Sequence, residues 1–96
     1  MARITEIDLH TTAFLRNTSG LYPEDLVQHS IERMRKALND AIKRGDAEIR
    51  FIHGAGNGTL RERVYHELRV LQKDGRIETF EPSFFNKGMV NVVIRF

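Results

Sequence analysis

Two short stretches concentrate the reactive groups of this sequence. The first, "IDLH", ends in Asp8 and His10; the second, "FIHGAGNGTLRER", carries His53 followed by Gly54, Gly56 and Gly58. Residues two apart on an extended strand lie on the same side, about 7 Å apart along the chain. Asp8 and His10 therefore share a face if their segment is a strand. A carboxylate beside an imidazole can orient the ring and raise its proton affinity, which suits a general base or acid near neutral pH. The same tripeptide also fits an Asp capping a turn next to an exposed His at a strand end.

The glycine cluster poses a different question. Glycine is costly to order, so three within five residues imply an unusual backbone or a close approach. If a helix starts near Thr59, the amides ahead of Leu60 point outward at the positive end of its dipole and form an anion site. Gly54, Gly56, Asn57, Gly58 and Thr59 would then line a phosphate, and Arg61 in the first helical turn would add a charge-assisted contact. Lys87, in the later "FFNKG" stretch, is a further candidate contact. No Lys-Ser/Thr pair follows, so this is not a P-loop, and Gly-x-Gly-x-Gly lacks the gap of a dinucleotide fingerprint. A tight strand-to-helix turn with glycines at positive φ accounts for the spacing equally well.

Asp8, His10 and His53 could jointly hold a divalent metal, although their spacing matches no common all-protein pattern. There is no dense acidic cluster of the two-metal kind, so no cofactor is required, while Mg²⁺ or Mn²⁺ is compatible with the residues present. His29 and His66 fall in the middle of helical segments and read as surface residues. Phe84 and Phe85, beside Asn86 and Lys87, fit a base-stacking pair or, more commonly for such a pair, a plug of the core beneath a loop.

The elements that must position these groups follow from periodicity. Residues 3 to 9 are rich in β-branched side chains and read as a strand, and "TTAFLRNTSGLY" reads as a long loop whose Phe14 and Leu15 pin it to the core. Pro23 opens a helix over 23–44, with Glu24 and Asp25 at its positive end and Gly45 as its stop. Its apolar stripe is Val27, Ile31, Met34, Leu38 and Ala41. "AEIRFIH" is a second strand, with Ile49 and Phe51 on one side and Arg50 and Ile52 on the other. Thr59 and Glu62 match a capping box, and Leu60, Val64, Leu68 and Leu71 form the stripe of a second helix ending near residue 74. "RIETFEP" and "MVNVVIRF" complete the set, the latter alternating at Val90, Val92, Ile94 and Phe96.

The order is β-α-β-α-β-β, an α/β (two-layer α+β) arrangement. The crossover helices imply parallel pairing of the early strands, with the helices on one face or on both; the last two strands form a hairpin or a split pair. In such sheets ligands gather outside the carboxyl ends of the strands, where Asp8, His10 and His53 fall.

Bulk properties set the frame. The 96 residues make one domain, 1–96, with 41% hydrophobic and 29% charged residues, enough for a single core without disulfides. The absence of cysteine removes disulfides, thiolate metal sites and a cysteine nucleophile. No run approaches a bilayer span and no signal-peptide pattern is present, so the expected setting is the cytoplasm, without a membrane partner. Both ends lie on or near strands, as in a segment cut from a longer protein with further domains. Fifteen Lys and Arg against thirteen Asp and Glu leave a net charge of +2, which decides little, because concentration on one face matters more than the total.

Taken together, "IDLH", a helix, and "FIHGAGNGTLRERV" opening a second helix resemble the small MutS-related (Smr) domain family. That family shows a hydrophobic-Asp-x-His element and a later His-Gly-x-Gly before a Leu-Arg helix start, matched here by Asp8, Leu9 and His10 and by His53, Gly54, Gly56, Leu60 and Arg61. Thr11 stands where many members carry glycine, and the family's later glycine-rich turn is reduced to Gly88 of "NKGMV". The resemblance implies a fold like the C-terminal domain of translation initiation factor 3. It also implies DNA or RNA as partner and endonuclease activity, with Asp8 and His10 as the catalytic or substrate-positioning pair and His53 to Gly56 as the second half of the site. For phosphodiester hydrolysis either His10 or His53 could be the catalytic base, with Asp8 as its orienting partner. A binding module without turnover and a protein-interaction domain are the competing readings.

Overall fold

The computed structural model describes residues 4–56 and 58–96. The elements are β1 (Thr5–Asp8), a 3₁₀ turn (Thr11–Ala13), α1 (Pro23–Arg44), β2 (Glu48–Ile52), α2 (Thr59–Lys73), β3 (Thr79–Pro82) and β4 (Met89–Val93). The sheet order is β1-β2-β4-β3. β1 runs parallel to β2, as the α1 crossover requires, whereas β4 pairs antiparallel with both β2 and β3. The last two strands are thus a hairpin, with β4 inserted beside β2.

Strand alternation sorts the sheet into two faces. Ile49, Phe51, Val90 and Val92 are buried, and the register places Ile7 and Phe80 on their side. Ile31, Met34, Leu38 and Ala41 of α1 and Val64 and Leu68 of α2 join these strand residues in one core cluster. Both helices therefore cover a single face, giving two layers. The other face carries a polar ladder: Arg50 Nε donates to Asn91 Oδ1 at 2.7 Å and its Nη1 lies 3.3 Å from Glu6 Oε1. Alternation beyond Val92 carries Ile94 into the core, but Phe96 lies past the strand end and is exposed.

The helix ends show why these segments are helices. Pro23 occupies the first turn of α1, where a missing N–H costs nothing. The Tyr22 N–H donates to the Asp25 carboxylate at 2.9 Å. At the other end Gly45 adopts φ 80°, and the N–H groups of Gly45 and Asp46 return to the carbonyls of Ile42 and Ala41. α2 departs from the sequence expectation. Gly58, at φ 90°, holds the cap position, and Thr59 is the first helical residue rather than the cap, so the Thr59–Glu62 capping box is not formed. Glycine takes the cap here because the chain must enter the helix through a left-handed conformation. The two helices are tied by Arg35, whose guanidinium grips the Glu67 carboxylate through two bonds of 2.7 and 2.9 Å.

A second expectation is overturned at the β3–β4 hairpin. Phe84 and Phe85 do not plug the core; they are 92% and 93% exposed at the tip. The tip is tied through its backbone and Asn86 instead. Ser83 N–H donates to Met89 O, Met89 N–H to Asn86 O, and Gly88 N–H to Asn86 Oδ1.

The carboxyl end of β1 is held by α1. Buried Ser30 donates its hydroxyl to Leu9 O at 2.6 Å, and Arg33 Nε donates to Asp8 O at 2.9 Å. Replacing Ser30 with Ala leaves a buried carbonyl short of a partner, a loss of about 1–3 kcal/mol. The expected result is a lower urea midpoint with an unchanged m-value; an unchanged midpoint would contradict the assigned role of this hydrogen bond.

Candidate nucleic-acid site

Asp8 and His10 meet as their spacing predicts. Asp8 Oδ1 accepts from the His10 backbone N–H at 2.9 Å and lies 2.7 Å from His10 Nδ1. Burial pushes the Asp8 carboxyl upward, but the His10 backbone N–H, the His10 ring and the Arg33 charge together outweigh it and hold the group below its ordinary value. An ionised carboxylate only accepts hydrogen bonds, so Nδ1 carries the proton in the neutral ring and Nε2 presents a lone pair. The His10 side chain is half exposed. The carboxylate holds Nδ1, and Nε2 lies toward Gly54.

The second half of the site comes from the end of β2. Leu9 N–H pairs with Ile52 O at 2.9 Å, bringing His10 beside the glycine loop. Gly54 has φ 83°, and a Cβ there would run into His10 Nε2 and sit 2.9 Å from Cε1. On the hairpin side, Gly88 O accepts from both His53 N–H and Gly54 N–H, at 2.8 and 3.0 Å. A Cβ on Gly88 would lie 3.1 Å from the Gly54 backbone. Gly54 is thus clasped between the imidazole and the hairpin; it has no room for a Cβ, while one on Gly88 would press on the Gly54 backbone.

His53 sits differently from His10. It is 4% exposed, its Nδ1 lies 2.8 Å from Gly54 O, and its ring meets Tyr65 edge-on at 6.0 Å. Burial lowers its pKa, the bond to Gly54 opposes this, and the nearby Arg61 and His10 charges reinforce the lowering. A neutral ring then donates from Nδ1 to Gly54 O, which leaves Nε2 as a buried acceptor with no hydrogen-bond partner among the described residues. His53 braces the loop from within, while His10 faces outward.

Gly54, Gly56, Gly58, Arg61 and Lys87 do converge. With Ala55 they line a recess of about 170 Å³ at the N-terminus of α2. A neighbouring groove of about 450 Å³ continues along α2 to the hairpin, lined by Arg61, Arg69, Lys87, Tyr65 and Glu62 among others. No salt bridge engages Arg61, Arg69 or Lys87 among the described residues. Thr59 begins the helix at the edge of this recess. Asn57 lies outside the described residues. Among those described, no three His, Cys, Asp or Glu side chains cluster as a metal cage. His29 and His66 lie on helix surfaces, His29 being 3.9 Å from Glu32. No helix of the described chain is long and apolar enough to cross a membrane.

Sequence reasoning missed Ser30, Arg33, Tyr65 and Arg69. Their signals were weak: a serine within a helical stripe, and cations on an ordinary exposed face.

The family model for the Smr domain matches residues 26–95. The chain belongs to the Smr domain family. That match begins after β1, so it includes the His53 loop but not Asp8 and His10. The crystal structure of the Smr domain of Thermus thermophilus MutS2 covers 97% of this chain and all of its own, with a TM-score of 0.72 and 27% identity. It therefore spans both halves of the site. Endonuclease MutS2 of Symbiobacterium thermophilum is 35% identical over 69 residues, 72% of this chain and 8% of that protein. Its counterpart in Gemmatimonas aurantiaca is 35% identical over 63 residues, 66% of this chain and 7% of that one. This Smr domain thus spans under a tenth of these curated relatives, which are longer proteins.

Two predictions follow from this geometry. Gly54→Ala should destabilise the domain by at least about 2 kcal/mol, from a left-handed alanine and an overpacked contact. It should also shift the His10 ring resonances in NMR spectra; wild-type stability with unmoved resonances would refute the clasp. For His53, the folded pKa lies below the ordinary 6.5. Between those two values the unfolded chain binds a proton that the folded chain does not, so stability is full above about 6.5 and falls as pH drops through that window. Urea midpoints at pH 7.5 should exceed those at pH 5.5, and the difference should shrink in His53→Gln.

Proposed function

We propose that this Smr domain binds DNA or RNA through its phosphate backbone and cleaves it, with His10 as general base. The observation that carries this reading is the Asp8–His10 pair, whose hydrogen bond assigns the Nδ1 proton and leaves Nε2 as the basic atom beside a cationic, glycine-lined recess. Relatives named as MutS2 endonucleases support it.

The chemistry can be written through this chain's own groups. A phosphate seats against the Gly54–Gly58 loop and the start of α2, with Arg61 and Lys87 offsetting its charge. His10 Nε2 removes the proton from the attacking hydroxyl, which is water or, in RNA, the ribose 2′-OH. As the new P–O bond forms, charge accumulates on the non-bridging oxygens, where preorganised amides and cations are most effective. The P–O bond to the leaving oxygen breaks, and that oxygen takes the proton back from the His10 imidazolium. Asp8 stabilises the imidazolium in between. His53, buried and neutral, holds Gly54 in place rather than exchanging protons with substrate. A divalent Mg²⁺ or Mn²⁺ bound with the substrate would further offset phosphate charge.

The test is a nicking assay on supercoiled plasmid and on a structured RNA, with and without Mg²⁺ or Mn²⁺, paired with binding titrations at two salt concentrations. His10→Ala should lower cleavage by about 10²-fold or more while affinity stays within about twofold. The Arg61→Ala, Lys87→Ala double variant should weaken binding to all sequences and reduce the salt slope by about 2. Equal cleavage by wild type and His10→Ala would refute the catalytic assignment. Salt-sensitive binding with no cleavage by the wild type would leave a phosphate-binding module.

A further inference from the structure

The hairpin tip carries a feature that phosphate chemistry does not use. Phe84 and Phe85 stand almost fully in solvent, packed edge-to-face on each other with centroids 5.1 Å apart. Two adjacent exposed phenylalanines are costly in hydration, and they do nothing for the core. They are also not on a loose loop. Ser83 and Met89 close the base of the tip, and Asn86 ties it internally through its carbonyl and its side-chain oxygen. Gly88 then bonds the tip to His53 and Gly54. The aromatic pair is rigidly referenced to the catalytic residues.

Its surroundings are divided by chemistry. On the helix side of the hairpin lies the groove containing Arg61, Arg69 and Lys87, with Ser83 and Pro82 at its edge. On the sheet side lies a second groove of about 470 Å³, where Phe84, Phe85 and Met89 meet Asn86, Asn91 and Arg50. The tip therefore separates a cationic channel from an aromatic surface, with Lys87 two residues beyond the Phe pair. A single strand of nucleic acid has this division: charged phosphates along one edge and flat, apolar base faces along the other. A paired duplex offers no free base face, because its bases are stacked on their neighbours.

We propose that Phe84 and Phe85 form a base-stacking platform, so that the site takes nucleic acid with at least one unpaired base next to the phosphate bound at Lys87 and Arg61. This deepens the proposed function and rests on it. The favoured substrate class is then a single strand, a loop, a bulge or a frayed junction rather than uninterrupted duplex.

The experiment uses the 96-residue chain and three probes of equal length: a single-stranded oligonucleotide with one 2-aminopurine, the same oligonucleotide in a full duplex, and a duplex with that base in a bulge. Affinities are measured by fluorescence anisotropy at two salt concentrations, and stacking by 2-aminopurine quenching. Wild type should bind the single-stranded and bulged probes more tightly than the duplex and quench their 2-aminopurine. The Phe84→Ala, Phe85→Ala variant should lose about tenfold in affinity for those two probes, lose the quenching, and keep duplex affinity and salt slope within about twofold. Both residues are solvent-exposed, so the variant folds, which its urea midpoint verifies. Lys87→Ala should instead weaken all three probes and lower the salt slope. If the double Phe variant binds and quenches like wild type, the platform is refuted while backbone binding stands, and the pair belongs to a protein contact. If wild type binds no probe even at low salt, the nucleic-acid reading itself fails, and the platform with it.

Discussion

Everything at this site depends on how closely three segments approach at Gly54. The end of β1 delivers the His10 ring to one side of it, and the β3–β4 hairpin delivers the Gly88 backbone to the other. A Cβ on Gly54 would run into the imidazole, and one on Gly88 would press on the Gly54 backbone. Gly88 O receives the N–H groups of both His53 and Gly54, so one carbonyl satisfies two donors that would otherwise be stranded where β2 leaves the sheet. The same contact sets the hairpin tip relative to the Asp8–His10 pair. A domain this small has few rigid elements to spare, and a backbone clasp places three segments with two glycines.

The two histidines show how environment divides roles between identical side chains. His10 stands half in water with a carboxylate on Nδ1 and Nε2 toward Gly54, the arrangement on which its proposed role as base rests. His53 is enclosed by the loop and Tyr65, and enclosure disfavours its charged form. A buried neutral ring is a poor proton carrier but a good brace, since its Nδ1 proton fastens the Gly54 carbonyl. The arrangement parallels the logic of a base oriented by a carboxylate, with Ser30 and Arg33 fixing the strand end on which that carboxylate sits.

Much of this was legible in the sequence itself. Helix α1 could be bounded from Pro23, its stripe and Gly45, because each cue has a local physical cause. The Asp8–His10 contact was legible because strand geometry alone brings residues i and i+2 to one side. Three features were not. The local capping-box pattern points to Thr59 as the cap of α2, yet the chain enters the helix at positive φ, which only Gly58 tolerates easily. Hydrophobicity predicts burial on average and so favours a core plug over a stacking pair for Phe84 and Phe85, and nothing in the local pattern reveals that the hairpin tip stands in solvent. The different burial of His10 and His53 was not visible either, since both follow strands, and only the tertiary clasp decides which of them is covered.

Net charge illustrates the same limit at the scale of the whole surface. An excess of two positive charges says nothing about polyanions. In the folded domain, however, several cations are committed internally: Arg35 to Glu67, Lys36 to Asp40, Arg44 to Asp46 and Arg50 to Glu6. Pairs of this kind cancel within a few ångströms and leave little field at a distance. Arg61, Arg69 and Lys87 have no such partner among the described residues and line one groove. The field that a phosphate backbone would meet along that groove is therefore set by cations that folding leaves outside its ion pairs.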